Sequence, residues 1–225
     1  MLPSSTVENY LKAIFQHQMS LAQRHELVSM GELASRLGVV PGTATAMVKT
    51  LADSGLVRYE PYAGVRLTSA GERLAARVLR RHRLIELFLV RVMGMDWTEV
   101  HEEAELLEHA ASDRLVELMD DMLDHPETDP HGDPIPGPEG TLARRSYQDL
   151  LSCPLQTPVV VTRVTDQDAA FLRFIDASNL KPGQSIRIES RDQAADSIEV
   201  LAEHGERVTL GMRAASKLLV DVAEH

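Results

Sequence analysis

The chain has 225 residues, 44% of them apolar, one cysteine (Cys153) and a formal net charge of −11. A single cysteine excludes a disulfide framework. No apolar run reaches membrane-helix length, and the N-terminus lacks the basic-then-apolar order of a secretion signal. The acidic total hides a polarity. Residues 1–83 hold 11 Lys+Arg against 6 Asp+Glu, a net of +5, whereas residues 84–225 hold 12 against 28, a net of −16. A basic first third suits phosphate contacts and an acidic remainder suits cations. A cytoplasmic protein of up to three small domains is expected.

The spacing of Tyr10, Leu11, Ile14 and Phe15 predicts a helix over Val7 to Arg24, with Ser4, Ser5 and Thr6 as candidate caps. A second helix runs from about Met30 to Leu37 and stops at Gly38. Pro41 opens a third, from about Gly42 to Asp53, which buries Ala44, Met47, Val48 and Leu51 and closes at Gly55. Leu56 to Glu60 and Val65 to Thr68 flank a Pro/Gly turn and predict a β-hairpin. Ser69-Ala70-Gly71-Glu72 has a capping-box pattern, so a long helix starts there and runs through Arg83 to Val92. Gly94 breaks it. One continuous helix is predicted from about Thr98 to Leu123, with Ala104, Leu107, Ala111, Leu115 and Leu118 on its apolar face. His125 to Gly140 is rich in Pro and Gly and reads as a loop or linker. Beyond Leu155, β-prone runs at Pro158 to Val164, Ser185 to Ser190, Ser197 to Leu201 and Leu218 to Ala223, with a short helix at Asp168 to Asn179, predict a small β-barrel.

Helix, turn, helix, hairpin is the order of a winged helix-turn-helix, whose third helix enters the major groove. Pro41, Thr43, Thr45, Ala46 and Lys49 on that helix, and Arg58 and Arg66 on the wing, are the candidate DNA contacts. The recognition helix has no Arg, Asn or Gln for a bidentate base contact. Modest direct readout follows, with shape and phosphate contacts carrying much of the specificity.

In the acidic part, His101, Glu105, Glu108 and His109 fall at i, i+4, i+7 and i+8, one face of a single helix. His82 and Glu86 are i, i+4 on the helix before it, and Asn9 offers an amide oxygen from the first helix. Carboxylates gathered this closely raise each other's pKa unless a cation joins them. Oxygen and imidazole donors without thiolate suit a harder first-row ion such as Mn(II) or Fe(II). Cys153, beside Pro154, reads as structural. The string His101-Glu102-Glu103-Ala104-Glu105 is not a zinc-protease His-Glu-x-x-His, and no phosphate loop or serine elbow accompanies it, so no enzyme is expected. The alternatives are a winged-helix regulator of an organic ligand with a merely solvated acidic face, and a metal-dependent hydrolase.

These residues resemble the diphtheria toxin repressor family of metalloregulators, in particular its manganese transport regulator branch. The likeness rests on Val7-Glu8-Asn9-Tyr10-Leu11-Lys12-Ala13-Ile14, on Arg81-His82-Arg83-Leu84-Ile85-Glu86, on the run from His101 to His109, and on Pro130-His131-Gly132-Asp133-Pro134-Ile135-Pro136. It implies a mainly α chain in three parts. These are a winged helix-turn-helix (1–72), a helical metal-binding and dimerisation domain (73–150) and an SH3-like, FeoA-like β domain (151–225). It implies a homodimer on a palindromic DNA operator, with no membrane partner, repressing metal-uptake genes. Metal would fix the angle between winged helix and dimer core. One metal position would use His82, Glu86 and His101, and the other Asn9, Glu105, Glu108 and His109. Asp166 and Asp168 of the β domain are further candidate ligands. Iron-type members carry cysteine where Glu105 stands, so the resemblance implies Mn(II), with Fe(II) the alternative and Zn(II) or Co(II) binding in vitro. The manganese branch has aspartate at the Asn9 position and glutamate at that of Lys12. Asn9 can still coordinate, whereas Lys12 cannot, and its charge stands in for part of a second ion.

Overall fold

The computed structural model describes residues 4–20, 26–142, 147–203 and 205–222. Helix accounts for 43% of the described residues and strand for 21%, so the mainly α description fits the N-terminal part while an antiparallel sheet makes up the C-terminal part. The chain divides into two compact units. The first holds the residues up to His82 together with Glu108–Ala111 and Pro136–Leu142, and the second holds the remainder.

In the first unit, helix α1 (Ser5–Ser20) is followed by α2 (Met30–Arg36), α3 (Pro41–Asp53) and the hairpin β1 (Val57–Glu60) and β2 (Gly64–Leu67). Residues 21–24 of the predicted first helix lie outside the described residues. Ser29 and Glu32 form a reciprocal capping box that starts α2. Pro41 occupies the first turn of α3, where its missing N–H costs nothing. Leu11, Ile14, Leu33, Ala44, Val48, Leu51 and Val65 build one core. Each such buried side chain contributes roughly 1.5–3 kcal/mol of apolar burial. Val28 pairs with Val65 and seats the α1–α2 connection on the wing.

Helix α4 (Ser69–Arg91) runs from the wing into the second unit. Its cap sits one residue earlier than the sequence pattern suggests. Thr68 Oγ1, not Ser69, accepts the Gly71 N–H at 3.2 Å.

The single helix predicted over Thr98 to Leu123 is instead two helices, α5 (Val100–Leu107) and α6 (Asp113–Met122). Ser112 is the cause. It is an extended N-cap whose hydroxyl accepts the Leu115 N–H at 3.2 Å, and Asp113 follows it in the first turn. Glu108 and His109 therefore lie in the turn after α5, beyond the helix that carries His101 and Glu105. Of the predicted apolar face, Leu107, Leu115 and Leu118 are exposed, together with Leu106 and Met122.

The segment from His125 to Gly140 is a folded loop, not a linker. Asp129 Oδ1 accepts the N–H groups of His131 and Asp133 at 2.8 and 2.9 Å, an aspartate-headed turn. Gly132 has φ +83°, and a Cβ there would lie 1.9 Å from the Thr162 carbonyl, so the loop requires glycine. The Val164 N–H donates to the His131 carbonyl.

The second unit ends in a six-stranded antiparallel sheet, ordered β3 (Gln148–Asp149), β8 (Leu218–Val222), β4 (Pro158–Val164), β5 (Ser185–Asp192), β6 (Ser197–Ala202), β7 (Arg207–Gly211). Ala223 of the last predicted strand lies outside the described residues. Helix α7 (Ala169–Ala177) and the one-turn α8 (Met212–Ala215) complete the unit. Alternation along β5 and β6 sends Ile186, Ile188, Ile198 and Val200 into a core closed by Leu172, Ile175 and Trp97.

Candidate metal centre

In the first unit, Glu8 and Lys12 stand one turn apart on α1 and meet the turn after α5. Lys12 Nζ donates to both oxygens of Glu108, at 2.7 and 2.9 Å. His82 Nδ1 lies 2.7 Å from Glu108 Oε2, and His109 Nδ1 lies 2.6 Å from Glu8 Oε2. Arg81 donates to the Glu108 carbonyl at 2.9 Å and approaches Glu8 Oε1 at 3.7 Å. Burial pushes the Glu108 carboxyl up, but the His82 hydrogen bond and the Lys12 charge outweigh it and hold it below its ordinary range. Two buried carboxylates, Glu8 and Glu108, thus face two cations, Lys12 and Arg81. His109 Nε2, 3.4 Å from Glu108 Oε1, is buried without a hydrogen-bond partner, and so is Asn9 Oδ1, one residue after Glu8 on α1. With Glu108 they are an amide oxygen, a carboxylate and an imidazole, the donor types that hard first-row ions take.

In the second unit, Glu86 on α4 meets His101 on α5. His101 Nδ1 is 3.1 Å from Glu86 Oε1, and its Nε2 is 3.7 Å from Glu105 Oε1. On the other side of Glu86 stands the folded loop. Glu86, Asp129 and His131, all buried, place one ligand atom each within 4.8 Å of one another. His131 Nε2 donates to the Trp97 carbonyl at 2.9 Å, so a neutral ring keeps its lone pair on Nδ1. That Nδ1 has no hydrogen-bond partner and faces Glu86 Oε2 at 3.9 Å. Burial pushes the His131 ring pKa down, against the pull of Glu86. It pushes the Asp129 carboxyl well above its ordinary range, helped by Asp133 and Glu86 and opposed by Arg83. Arg83 approaches Asp129 and Asp133, Arg163 pairs with Asp133, and Glu86 pairs with His101. The Glu86–Asp129–His131 donor set, two carboxylates and an imidazole lone pair, fits a divalent ion.

Asp129 and His131 are not among the ligands expected from sequence, because Pro and Gly mark their stretch as a loop or linker. The available signal was an Asp-x-His pair inside a Pro/Gly-framed stretch. Glu8 carries no sequence signal of its own, since its partner His109 is 101 residues away. Asp168 caps α7, accepting the Phe171 N–H at 2.9 Å, and Asp166 pairs with Lys217. Neither joins a metal-capable cluster among the described residues.

On the winged helix, Pro41, Thr43, Ala46 and Lys49 are exposed along α3. Thr45 is half-buried and its hydroxyl donates to the Pro41 carbonyl at 2.8 Å. Arg58 and Arg66 are cross-strand partners on the outer face of the hairpin.

Three family models match in succession. They are the iron dependent repressor N-terminal DNA binding domain (residues 3–65), the iron dependent repressor metal binding and dimerisation domain (68–137) and the FeoA domain (149–222). The iron-dependent repressor IdeR of Mycobacterium tuberculosis is 30% identical over 228 residues, covering 96% of each chain. The regulator MntR of Lysinibacillus sphaericus is 32% identical over 130 residues, covering 56% of this chain and 90% of its own. A solved manganese-dependent transcriptional repressor in complex with manganese is similar at TM-score 0.87 and 38% identity, covering 96% of this chain and all of its own. ScaR with bound Zn2+ is similar at TM-score 0.78 and 30% identity, covering 98% of this chain and all of its own. Matched from end to end in this way, the chain belongs to the diphtheria toxin repressor family of metal-dependent transcriptional regulators.

Proposed function

We propose that this repressor is activated by Mn(II), with Fe(II) as the alternative effector, and that it shuts off metal-uptake genes when metal is plentiful. The observation that carries the metal reading is the buried Glu86–Asp129–His131 triple, whose ligand atoms lie within 4.8 Å of one another and whose His131 Nδ1 has no hydrogen-bond partner. The donors are oxygen and imidazole throughout, which favours the harder ions. Two relatives in solved form carry manganese and zinc respectively, so ion choice rests on the donor set. The proposed ligands are Asn9, Glu105, Glu108 and His109 for one position. For the other they are Glu86 with His82 and His101, to which Asp129 and His131 are added.

A bound divalent ion supplies positive charge to these donors. Asn9 belongs to the first helix of the DNA-reading domain, and Glu108 and His109 belong to the turn that leads into α6. Holding them together restrains α1, and with it the recognition helix α3. By linkage, metal raises operator affinity and the operator raises metal affinity by the same factor. The exposed apolar side chains Leu115, Leu118 and Met122 of α6 lie in the dimerisation domain and suit a two-fold interface. Two winged helices related by that axis match a palindromic operator. The C-terminal sheet is read as an SH3-like barrel, and the place of action as the cytoplasm. No helix among the described residues is long and apolar enough to cross a membrane. The family is one of DNA-binding regulators, which removes the hydrolase alternative.

The test is fluorescence anisotropy on a duplex selected from a random pool by the metal-loaded protein, titrated metal by metal. Mn(II) should tighten binding on the order of 5–150-fold over chelator, the usual range of allosteric coupling. Equal binding with Mn(II) and with chelator overturns the reading.

A further inference from the structure

The first unit contains a group with no assigned role, Glu8. It is 7% exposed, lies on α1, and its Oε2 is 2.6 Å from His109 Nδ1. An ionised carboxylate only accepts hydrogen bonds, so the proton of this contact sits on Nδ1. A neutral ring then carries its lone pair on Nε2. That nitrogen is buried, has no hydrogen-bond partner, and lies 3.4 Å from Glu108 Oε1. Arg81 Nη1 stands 3.7 Å from the second oxygen of Glu8 and offsets its buried charge.

We propose that Glu8 is the positioning residue of the metal pocket: it holds His109 in the Nδ1–H tautomer and presents Nε2 as the donor, beside Glu108 and Asn9. Carboxylates hydrogen-bonded to the far nitrogen of a ligating histidine fix the ring and raise its basicity, and losing one costs on the order of 10–100-fold in metal affinity. The placement adds a consequence. Glu8 is on the helix that opens the DNA-reading domain, so a ligand from the turn is oriented by that helix even though Glu8 does not touch the ion. The winged helix and the pocket are thus joined twice, through Asn9 as donor and through Glu8 as orienter. The inference rests on reading Asn9, Glu108 and His109 as a metal pocket.

The experiment uses the full chain and its Glu8→Ala, Glu8→Gln and His109→Ala variants. Mn(II) affinity is measured by competition with a fluorescent chelator, and the His109 tautomer by long-range 1H–15N correlation on metal-free protein. Wild type should show Nδ1–H. Glu8→Gln, whose amide oxygen still accepts that proton, should keep both the tautomer and an affinity within a few-fold of wild type. Glu8→Ala should lose the tautomer preference and weaken Mn(II) binding on the order of 10–100-fold. An Nε2–H ring in wild type, unchanged Mn(II) affinity in Glu8→Ala, or equal losses in the Gln and Ala variants would overturn it. Should Glu8→Ala not fold, the wild-type and Glu8→Gln tautomers decide alone. If His109→Ala binds Mn(II) like wild type, the pocket itself is misread, an outcome distinct from failure of the Glu8 role.

Discussion

Replacing Lys12 by methionine removes the ammonium from Glu108 and leaves the shape of the stem. The Lys12 side chain is 6% exposed and that of Glu108 is fully buried, so the pair is screened little by solvent. Breaking a buried pair from one side costs about 3–5 kcal/mol, because the remaining charge is stranded. His82 stays 2.7 Å from Glu108 and supplies partial compensation, which places the expected loss near the lower end, about 3 kcal/mol. For a chain of this size each kcal/mol moves the melting temperature by roughly 2–4 °C, so a fall of about 6–12 °C follows. The assay is calorimetry in chelator at neutral pH and fixed protein concentration, repeated with Mn(II). Metal should restore more stability to Lys12→Met than it adds to wild type, since Glu108 then has a cation to accept. A metal-free variant that melts with wild type would refute the reasoning, because no buried ion pair could then have been lost.

Glu108 also sets an acid limit. Its folded pKa is depressed, so its contribution is complete above the ordinary glutamate value of 4.5 and is lost as pH falls through the lower folded value. Acid unfolding of Lys12→Met should begin at higher pH than that of wild type, read by circular dichroism. Trp97 is the only tryptophan, and its ring centroid lies 5.5 Å from that of His131. Paramagnetic Mn(II) at Glu86, Asp129 and His131 should quench Trp97 emission, and quenching that survives in His131→Ala counts against that site. Gly132→Ala drives a Cβ to 1.9 Å from the Thr162 carbonyl at a φ of +83°. Displacement of the Asp129–Asp133 turn should weaken metal binding there, while metal-free DNA affinity measured by anisotropy stays near wild type. Leu115→Glu with Leu118→Glu places charges on the exposed apolar row of α6. Sedimentation should then report monomers, and persistence of the dimer would put the interface elsewhere.

The winged helix was legible almost to the residue because each boundary has a local chemical cause. Pro41 starts α3, Gly55 with φ +70° follows its end, and β1 and β2 alternate around a Pro/Gly turn. The sheet was legible where strands alternate, as in β5 and β6. Its two-residue β3 was not, because two residues show no period. The helix from Thr98 to Leu123 failed for a related reason. Apolar spacing continues across Glu108 to Ser112, so periodicity alone bridges the break. Ser112-Asp113 is a start signal, and its cap hydrogen bond wins. Composition marks the stretch of Asp129 and His131 as a loop or linker, and it is a loop. Pro and Gly mark it as irregular, but only the fold shows that irregular backbone can be buried when an aspartate and a glycine satisfy its turns.

Gathered carboxylates do not by themselves require a metal, because protein groups can supply the positive charge. In the first unit the cations are protein groups. Lys12 is 96 residues from Glu108, and Glu8 is 101 from His109, so neither pairing has a sequence signature. There the case for metal rests on uncommitted donors, Asn9 Oδ1 and His109 Nε2, and not on excess charge. In the second unit Arg83 and Arg163 pair with Asp129 and Asp133, and the case for metal rests on the gathered Glu86, Asp129 and His131 donors. The two positions should therefore respond differently to the same ion. Binding at Glu86, Asp129 and His131 ties α4 to the folded loop and should chiefly add stability. Binding at Asn9, Glu108 and His109 joins a neutral cluster that already spans α1 and the turn, so its effect should appear chiefly in DNA affinity. Measured side by side over one Mn(II) titration, the melting temperature and the operator anisotropy should then saturate at different metal concentrations, and a single shared midpoint would mean that the two positions are one.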